Sequence, residues 1–265
     1  MRYAACVEYD GSQFSGWQAQ KHNVRTVQSL VESALSRVAD SPVEIITAGR
    51  TDAKVHATHQ VIHFDSDTQR SNFSWCRGTN RFLDQDVRLL WVQTVDEEFH
   101  ARFSALTRSY RYIIYNNPIK SAIYRNYVTH EYRKLNFSEM AIAGNKLLGE
   151  HDFSSFRAAS CQAHSPVRTI KEFSLKQQGE WIWFDVKANA FLQHMVRNIA
   201  GALIEVGVGE QSVNWIEELL NIKDRTKAGI TAQPNGLYLV GVEYDDEYKL
   251  QSNLKPIAYW GDKSD

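Results

Sequence analysis

The sequence predicts an α+β protein with a largely antiparallel sheet and helices packed on one side. Three observations predict it. Strand-like and helix-like runs recur in both halves, the β segments come as long hairpin-like pairs, and no series of βαβ units is present.

Residues 2–9 are rich in β-formers and close on Asp10-Gly11, a turn signal, so they form a first strand. Residues 11–20 form a loop with a cluster of Phe14, Gly16, Trp17 and Gln18. Thr26 has the chemistry of an N-cap, and Val27, Leu30, Val31, Ala34, Leu35 and Val38 follow at helical spacing until Asp40-Ser41-Pro42. Two apolar strand-like runs, 43–47 and 61–64, flank a polar loop. The pattern then predicts a helix over 71–82, a strand over 87–95 and a connector over 99–104. A second half restarts near 104–107, with a strand over 110–115 and a helix over 136–148 closed by Gly149. A hairpin around Gln178-Gly179 joins 167–176 to 181–188, helices cover 192–206 and 212–220, and 237–244 is a last strand. The tail after Asp245 is polar, with Ile257, Tyr259 and Trp260 available for docking.

At 265 residues the chain has room for one large domain or two smaller ones. Its 43% hydrophobic and 23% charged residues are ordinary for a soluble globular protein. No apolar run approaches the ~18–20 residues that span a bilayer, and the N-terminus turns acidic too soon for a signal peptide. Cys6, Cys76 and Cys161 are odd in number and lack metal spacing, which suits reduced thiols of the cytoplasm. A net charge of −1 gives no global support for a nucleic-acid partner. Such a partner requires basic residues gathered on one face.

Four stretches carry groups that can do chemistry. In Gly49-Arg50-Thr51-Asp52-Ala53-Lys54-Val55-His56-Ala57 a carboxylate follows a glycine and an arginine on a loop between apolar strands. Asp52 there is either a turn-capping residue or, beside a guanidinium, an ionised nucleophile or base. His56, His59 and His63 have a spacing that would suit zinc on one face of a helix. Val55, Val61, Ile62 and Phe64 instead favour extended chain, where His56 and His59 point to opposite faces. A metal-dependent hydrolase on these histidines is therefore the alternative reading, and His59 and His63 are expected as partly exposed strand residues. Third, residues 102–115 alternate arginines with aromatics, as Arg108, Tyr110, Arg111 and Tyr112 do, which is either an ordinary strand or a nucleotide-binding segment. Fourth, Leu192, Met195, Val196 and Ile199 make a core stripe that leaves Arg197 off its centre, to reach solvent or face a carboxylate.

Together these segments resemble the tRNA pseudouridine synthase A family, from residue 3 to about 244. The resemblance rests on Phe14-Ser15-Gly16-Trp17-Gln18; on Gly49-Arg50-Thr51-Asp52 with Val55-His56-Ala57; and on residues 99–112. Residues 151–162 with Val167-Arg168-Thr169-Ile170, and 191–201 with Gly236-Leu237-Tyr238-Leu239, complete it. It implies the pseudouridine-synthase fold, a largely antiparallel mixed sheet built from two similar halves. Residues 1–105 would carry the catalytic aspartate loop, and 106–265 would complete the sheet and the active-site cleft. It implies isomerisation of uridine to pseudouridine at tRNA positions 38, 39 and 40, in the anticodon stem-loop. By the same resemblance Asp52 is the catalytic aspartate, Tyr110 stacks on the target base and Arg197 pairs with the aspartate. Arg50 helps extrude the nucleotide, and Lys54, Arg108, Arg111, Arg168 and Leu237 fall among the substrate-binding positions. The family uses no metal or cofactor and is homodimeric, holding tRNA across both subunits.

Two residues depart from the family pattern. Lys54 and His59 stand where glycine is usual. If that first glycine has positive φ, Lys54 strains the loop by ~1–2 kcal/mol. Lys54 then either reaches an RNA phosphate or competes with Arg197 for Asp52, and a catalytically weak tRNA-binding relative is a further alternative.

Overall fold

The computed structural model describes residues 1–20 and 24–251; Ile257, Tyr259 and Trp260 of the tail lie outside them. The protein is α+β, with ten strands and five helices among the described residues. They fall into two compact units: Met1–Leu106 with the described residues from Tyr238, and Thr107–Leu237.

The first unit is built on β1 (Arg2–Tyr9), where Ala4, Ala5, Cys6 and Val7 are fully buried. β1 pairs antiparallel with β3 (His56–Asp65) on one side and β4 (Val87–Val95) on the other. A short β2 (Ile45–Thr47) also lies on β3. β10 (Leu237–Glu243) runs parallel to β3, with Tyr238 opposite His56 and Leu239 opposite Ala57. Residues from Tyr238 thus pack with the N-terminal unit.

Helix α1 (Val27–Ala39) starts where the sequence places it, with the Thr26 hydroxyl accepting from the Ser29 N–H. Helix α2 (Asn72–Phe82) is capped in the same way by Ser71. Trp75 of α2 is fully buried, with its ring 5.3 Å from Tyr3 and 5.2 Å from Phe64. That contact fixes the helix on the sheet face that Tyr3 and Phe64 share, and truncating such a ring to alanine costs about 3–5 kcal/mol.

The other face carries His59 and His63, and here the structure corrects the sequence. They are only 4% and 3% exposed. The connector after β4 covers His63, whose Nδ1 accepts from the Ala101 N–H at 3.0 Å and whose ring meets Phe99 edge-on. His59 lies between Cys6, whose Sγ is 3.5 Å from Nδ1, and Trp91. Burial depresses both imidazoles, His63 to about 4 with added repulsion from Arg2 and His100.

In the second unit β5 (Thr107–Asn116), β9 (Trp181–Ala188), β8 (Val167–Gln178) and β7 (Gly149–Asp152) pair antiparallel in that order. β6 (Thr129–Glu131) runs parallel to β5. Tyr112, Phe184 and Phe173 stack in series across the sheet, with centroids 5.5 and 5.6 Å apart. Helix α3 (Phe137–Asn145) lies so close to β8 that a Cβ on Gly144 would meet the Phe173 ring at 2.2 Å. It stops at Asn145, short of the expected 148, because three-residue bonds from Leu147 and Leu148 tighten its end. Helix α4 (Met195–Gly207) starts three residues later than the apolar stripe suggests, since His194 at φ 62 breaks the helical path. Helix α5 spans Trp215–Ile222. No helix among the described residues is long and apolar enough to cross a membrane.

The depressed imidazoles give a pH prediction. His63 ionises near the ordinary imidazole value of 6.5 when unfolded and at about 4 when folded. The unfolded chain therefore takes up the extra proton between those values, so stability present above pH 6.5 is lost as pH falls toward 4. The urea midpoint should drop between about pH 7.5 and pH 5, and His63→Gln should drop less. Equal losses in both proteins would show that His63 is not the group responsible.

Candidate active site

Asp52 sits half-buried on the turn that leads into β3. The turn is held by the loop after β1, which the sequence shows only as an unusual cluster. Trp17 N–H donates to the Thr51 carbonyl at 3.0 Å, and Lys54 N–H donates to the Phe14 carbonyl at 3.2 Å. The hydroxyls of Tyr9 and Thr51 meet at 2.7 Å. Gly11 N–H donates to His56 Nδ1 at 3.0 Å, and the His56 ring stacks on Tyr238. This approach leaves no room for side chains: a Cβ on Gly11 would lie 2.0 Å from the Val55 carbonyl oxygen, and one on Gly16 2.9 Å from that of Thr51. Gly16 also adopts φ 101.

Asp52 opens a four-residue turn, its carbonyl accepting from Val55 N–H at 3.2 Å. Lys54, the third residue of that turn, has φ 65. This is the conformation for which glycine is the natural choice, and it accounts for the glycine the family pattern expects. Arg50, Asp52 and Lys54 are thus brought together on one short segment, with both cationic residues exposed. His59, the other departure, lies in regular strand and incurs no such strain.

The three histidines of the metal reading are spent separately: His56 on Gly11 and Tyr238, His59 on Cys6 and Trp91, His63 on Ala101. No group of three or more metal-binding side chains is found among the described residues.

In the second unit Tyr110 projects from β5 opposite Val186, is 8% exposed, and has Phe191 edge-on at 5.0 Å. Arg197 lies in the first turn of α4, half-buried, and its Nε donates to the Ala232 carbonyl at 3.0 Å. Burial pushes the Tyr112 hydroxyl up, with Thr129 and the Arg197 charge pulling against it.

Arg111 lies on the same strand as Tyr110. It is 7% exposed and gripped by Asp185 through Nε and Nη2 at 2.7 and 2.9 Å, so this fork is spent on an internal ion pair. The alternation of basic and aromatic residues placed it correctly on a strand, but an acid on β9 claims the guanidinium. Arg108 donates from Nη1 to the Asn189 carbonyl. Arg168, half-buried, donates to the Ser165 and Val167 carbonyls, and its guanidinium is shifted down mainly by burial, with Arg157 adding repulsion. Leu237 is 5% exposed, at the end of a short turn in which Gly236 approaches the Ile113 carbonyl oxygen.

Comparison with known proteins follows the same segments. The profile described as tRNA pseudouridine synthase matches residues 5–104 and 143–245. A tRNA pseudouridine synthase A of Nitrosococcus oceani is 54% identical over 260 residues, covering 98% of this chain and 100% of that protein. One from Pseudoalteromonas atlantica is 53% identical over 94% of this chain and 95% of its own length. One from Legionella pneumophila is 49% identical over 98% of this chain and 99% of its own. The chain belongs to the tRNA pseudouridine synthase family.

Strain at Lys54 is measurable. Lys54→Gly should remove ~1–2 kcal/mol of left-handed strain, offset by ~0.5–1 kcal/mol of added unfolded-state freedom. The expected net gain is about 0.5–1 kcal/mol in chemical denaturation. A loss of stability would refute the assignment of strain to this turn.

Proposed function

We propose that this protein isomerises uridine to pseudouridine at tRNA positions 38, 39 and 40, in the anticodon stem-loop, with Asp52 as the nucleophile. The observation that carries the reading is the 52–55 turn. A half-buried carboxylate rides on backbone clasped to the preceding loop, flanked by two exposed cationic residues, in a chain of this family. A nucleophile held by rigid neighbours loses little freedom on reaching the transition state.

In the reaction, the N1–C1′ bond of uridine breaks, the uracil turns, and a C5–C1′ bond forms. The C5 proton leaves and N1 gains one, so atoms balance without oxidant, metal or cofactor. Asp52 holds the reacting fragment while the base turns. Extruding a stacked base costs a few kcal/mol, and stacking on Tyr110 returns ~1–3 kcal/mol. Arg197 supplies the counter-charge to the carboxylate. Arg50, Lys54 and Arg108 meet the RNA backbone, with Arg168 and Leu237 lining the approach of the nucleotide. Two copies of the chain hold one tRNA in the cytoplasm, so that local basic faces act despite a net charge of −1.

Tritium release from tRNA labelled at uridine C5 tests the reading. Asp52→Asn should abolish release while tRNA affinity stays within about threefold, as a change confined to the chemical step requires. Substantial residual turnover would remove Asp52 from its role. Chelators should leave turnover unchanged, and their inhibiting it would favour the histidine-based metal reading instead.

A further inference from the structure

Arg197 is useful only if its guanidinium points the right way, and what aims it is a segment of irregular chain. Residues 228–233 belong to no helix or strand, yet they cross α4 in close contact. The Ala232 N–H donates to the Arg197 carbonyl at 3.1 Å, and the Ala232 carbonyl accepts from Arg197 Nε at 3.0 Å. The guanidinium is a planar fork, so a fixed Nε bond sets the direction in which its Nη atoms project. A turn further along α4, the strap presses on the helix where a Cβ on Gly201 would meet the Ile230 carbonyl oxygen at 1.9 Å.

Little apolar burial holds this strap. Ile230, its one large apolar residue, is 77% exposed. The holding groups are polar. Arg225 donates through Nη1 to the Ala228 and Gly229 carbonyls at 3.3 and 3.0 Å. Through Nη2 it reaches the Thr231 hydroxyl at 2.9 Å and Asn198 Oδ1 at 3.1 Å. Thr231 also donates to Asn198 Oδ1 at 2.6 Å, and Asn198, fully buried beside Arg197, is fixed by its own bond to the Phe156 carbonyl. At the far end the buried Tyr112 hydroxyl donates to the Gln233 carbonyl at 2.8 Å.

We infer that Arg225 is a positioning residue for Arg197: by tying strap residues 228, 229 and 231 to Asn198, it holds the Ala232 carbonyl where it aims the Arg197 guanidinium. The inference rests on the reading of Arg197 as the partner of the Asp52 carboxylate. Four acceptors in different directions call for a guanidinium fork, and an ammonium at the end of a lysine satisfies fewer of them.

The test measures kcat and KM for tRNA in Arg225→Lys, Thr231→Val, Arg197→Lys and the Arg197→Lys/Arg225→Lys double variant, with melting curves confirming folded protein. Arg225→Lys should lower kcat on the order of tenfold with KM nearly unchanged, since misaim affects the chemical step and not RNA capture. Thr231→Val, which removes one hydroxyl, should fall in the same direction by less, and it carries the test should Arg225→Lys not fold. In the double variant the Arg225 change should add no further loss, because its target is already gone. Wild-type kcat in both Arg225→Lys and Thr231→Val, or a full multiplicative loss in the double variant, would overturn the inference. Wild-type turnover in Arg197→Lys would instead overturn the reading of Arg197 itself, whatever Arg225 does.

Discussion

Everything about the Asp52 segment depends on how closely two stretches of backbone approach each other. The loop after β1 and the turn before β3 meet through main-chain bonds from Trp17 and Lys54, at a separation that only glycine at positions 11 and 16 permits. Backbone held by backbone is stiff, because it has no rotamers to exchange. The strand follows from it: His56, tied to the Gly11 N–H, is already the first residue of β3. The left-handed conformation of Lys54 is the local consequence, since a four-residue turn squeezed into this space requires positive φ at its third position.

The second unit solves a similar problem with different materials. Arg197 stands on a helix, which is rigid, but the group that orients it comes from irregular chain. There too a glycine lets the chains close up, at Gly201, while Arg225, Asn198 and Thr231 replace the absent regular hydrogen bonds. In both units non-repetitive backbone closes on the segment that carries a side chain proposed for the chemistry, the turn at Asp52 in one and helix α4 in the other. Close approach makes such seats intolerant of added volume, because an oxygen at 2 Å from a new Cβ has nowhere to go without moving main chain.

Most of the architecture was legible because it is written locally. Alternation, helical spacing, the Thr26 cap and the Gln178-Gly179 turn mark β1, α1, β4 and the β8–β9 hairpin within a residue or two. The short strands β6 and β7 were not legible, since three or four residues hold too little pattern and the residues of β7 are exposed or half-exposed. The burial of His59 and His63 was hidden as well, since Trp91 of β4 and the connector that follows it pack on them from far along the sequence. The same limit applied to Arg111, whose partner Asp185 lies on another strand. Asp52, Tyr110 and Arg197 carry no decisive local signal; only the family pattern joins these distant positions into an expected site. Asn198 and Arg225 carry no sequence signal, because a network of side chains on irregular backbone has no period.

One feature of the chain path bears on how the protein comes to be made. The first unit is discontinuous: its β10 is encoded after the whole of the second unit, and it pairs in parallel with β3, far back in the sequence. During synthesis the edge of β3 that receives β10 stays open until almost the entire chain has emerged. An open strand edge is a template for wrong partners, and a parallel pairing across so long a loop is slow to form. The half of the protein that is translated first is therefore the half that is finished last.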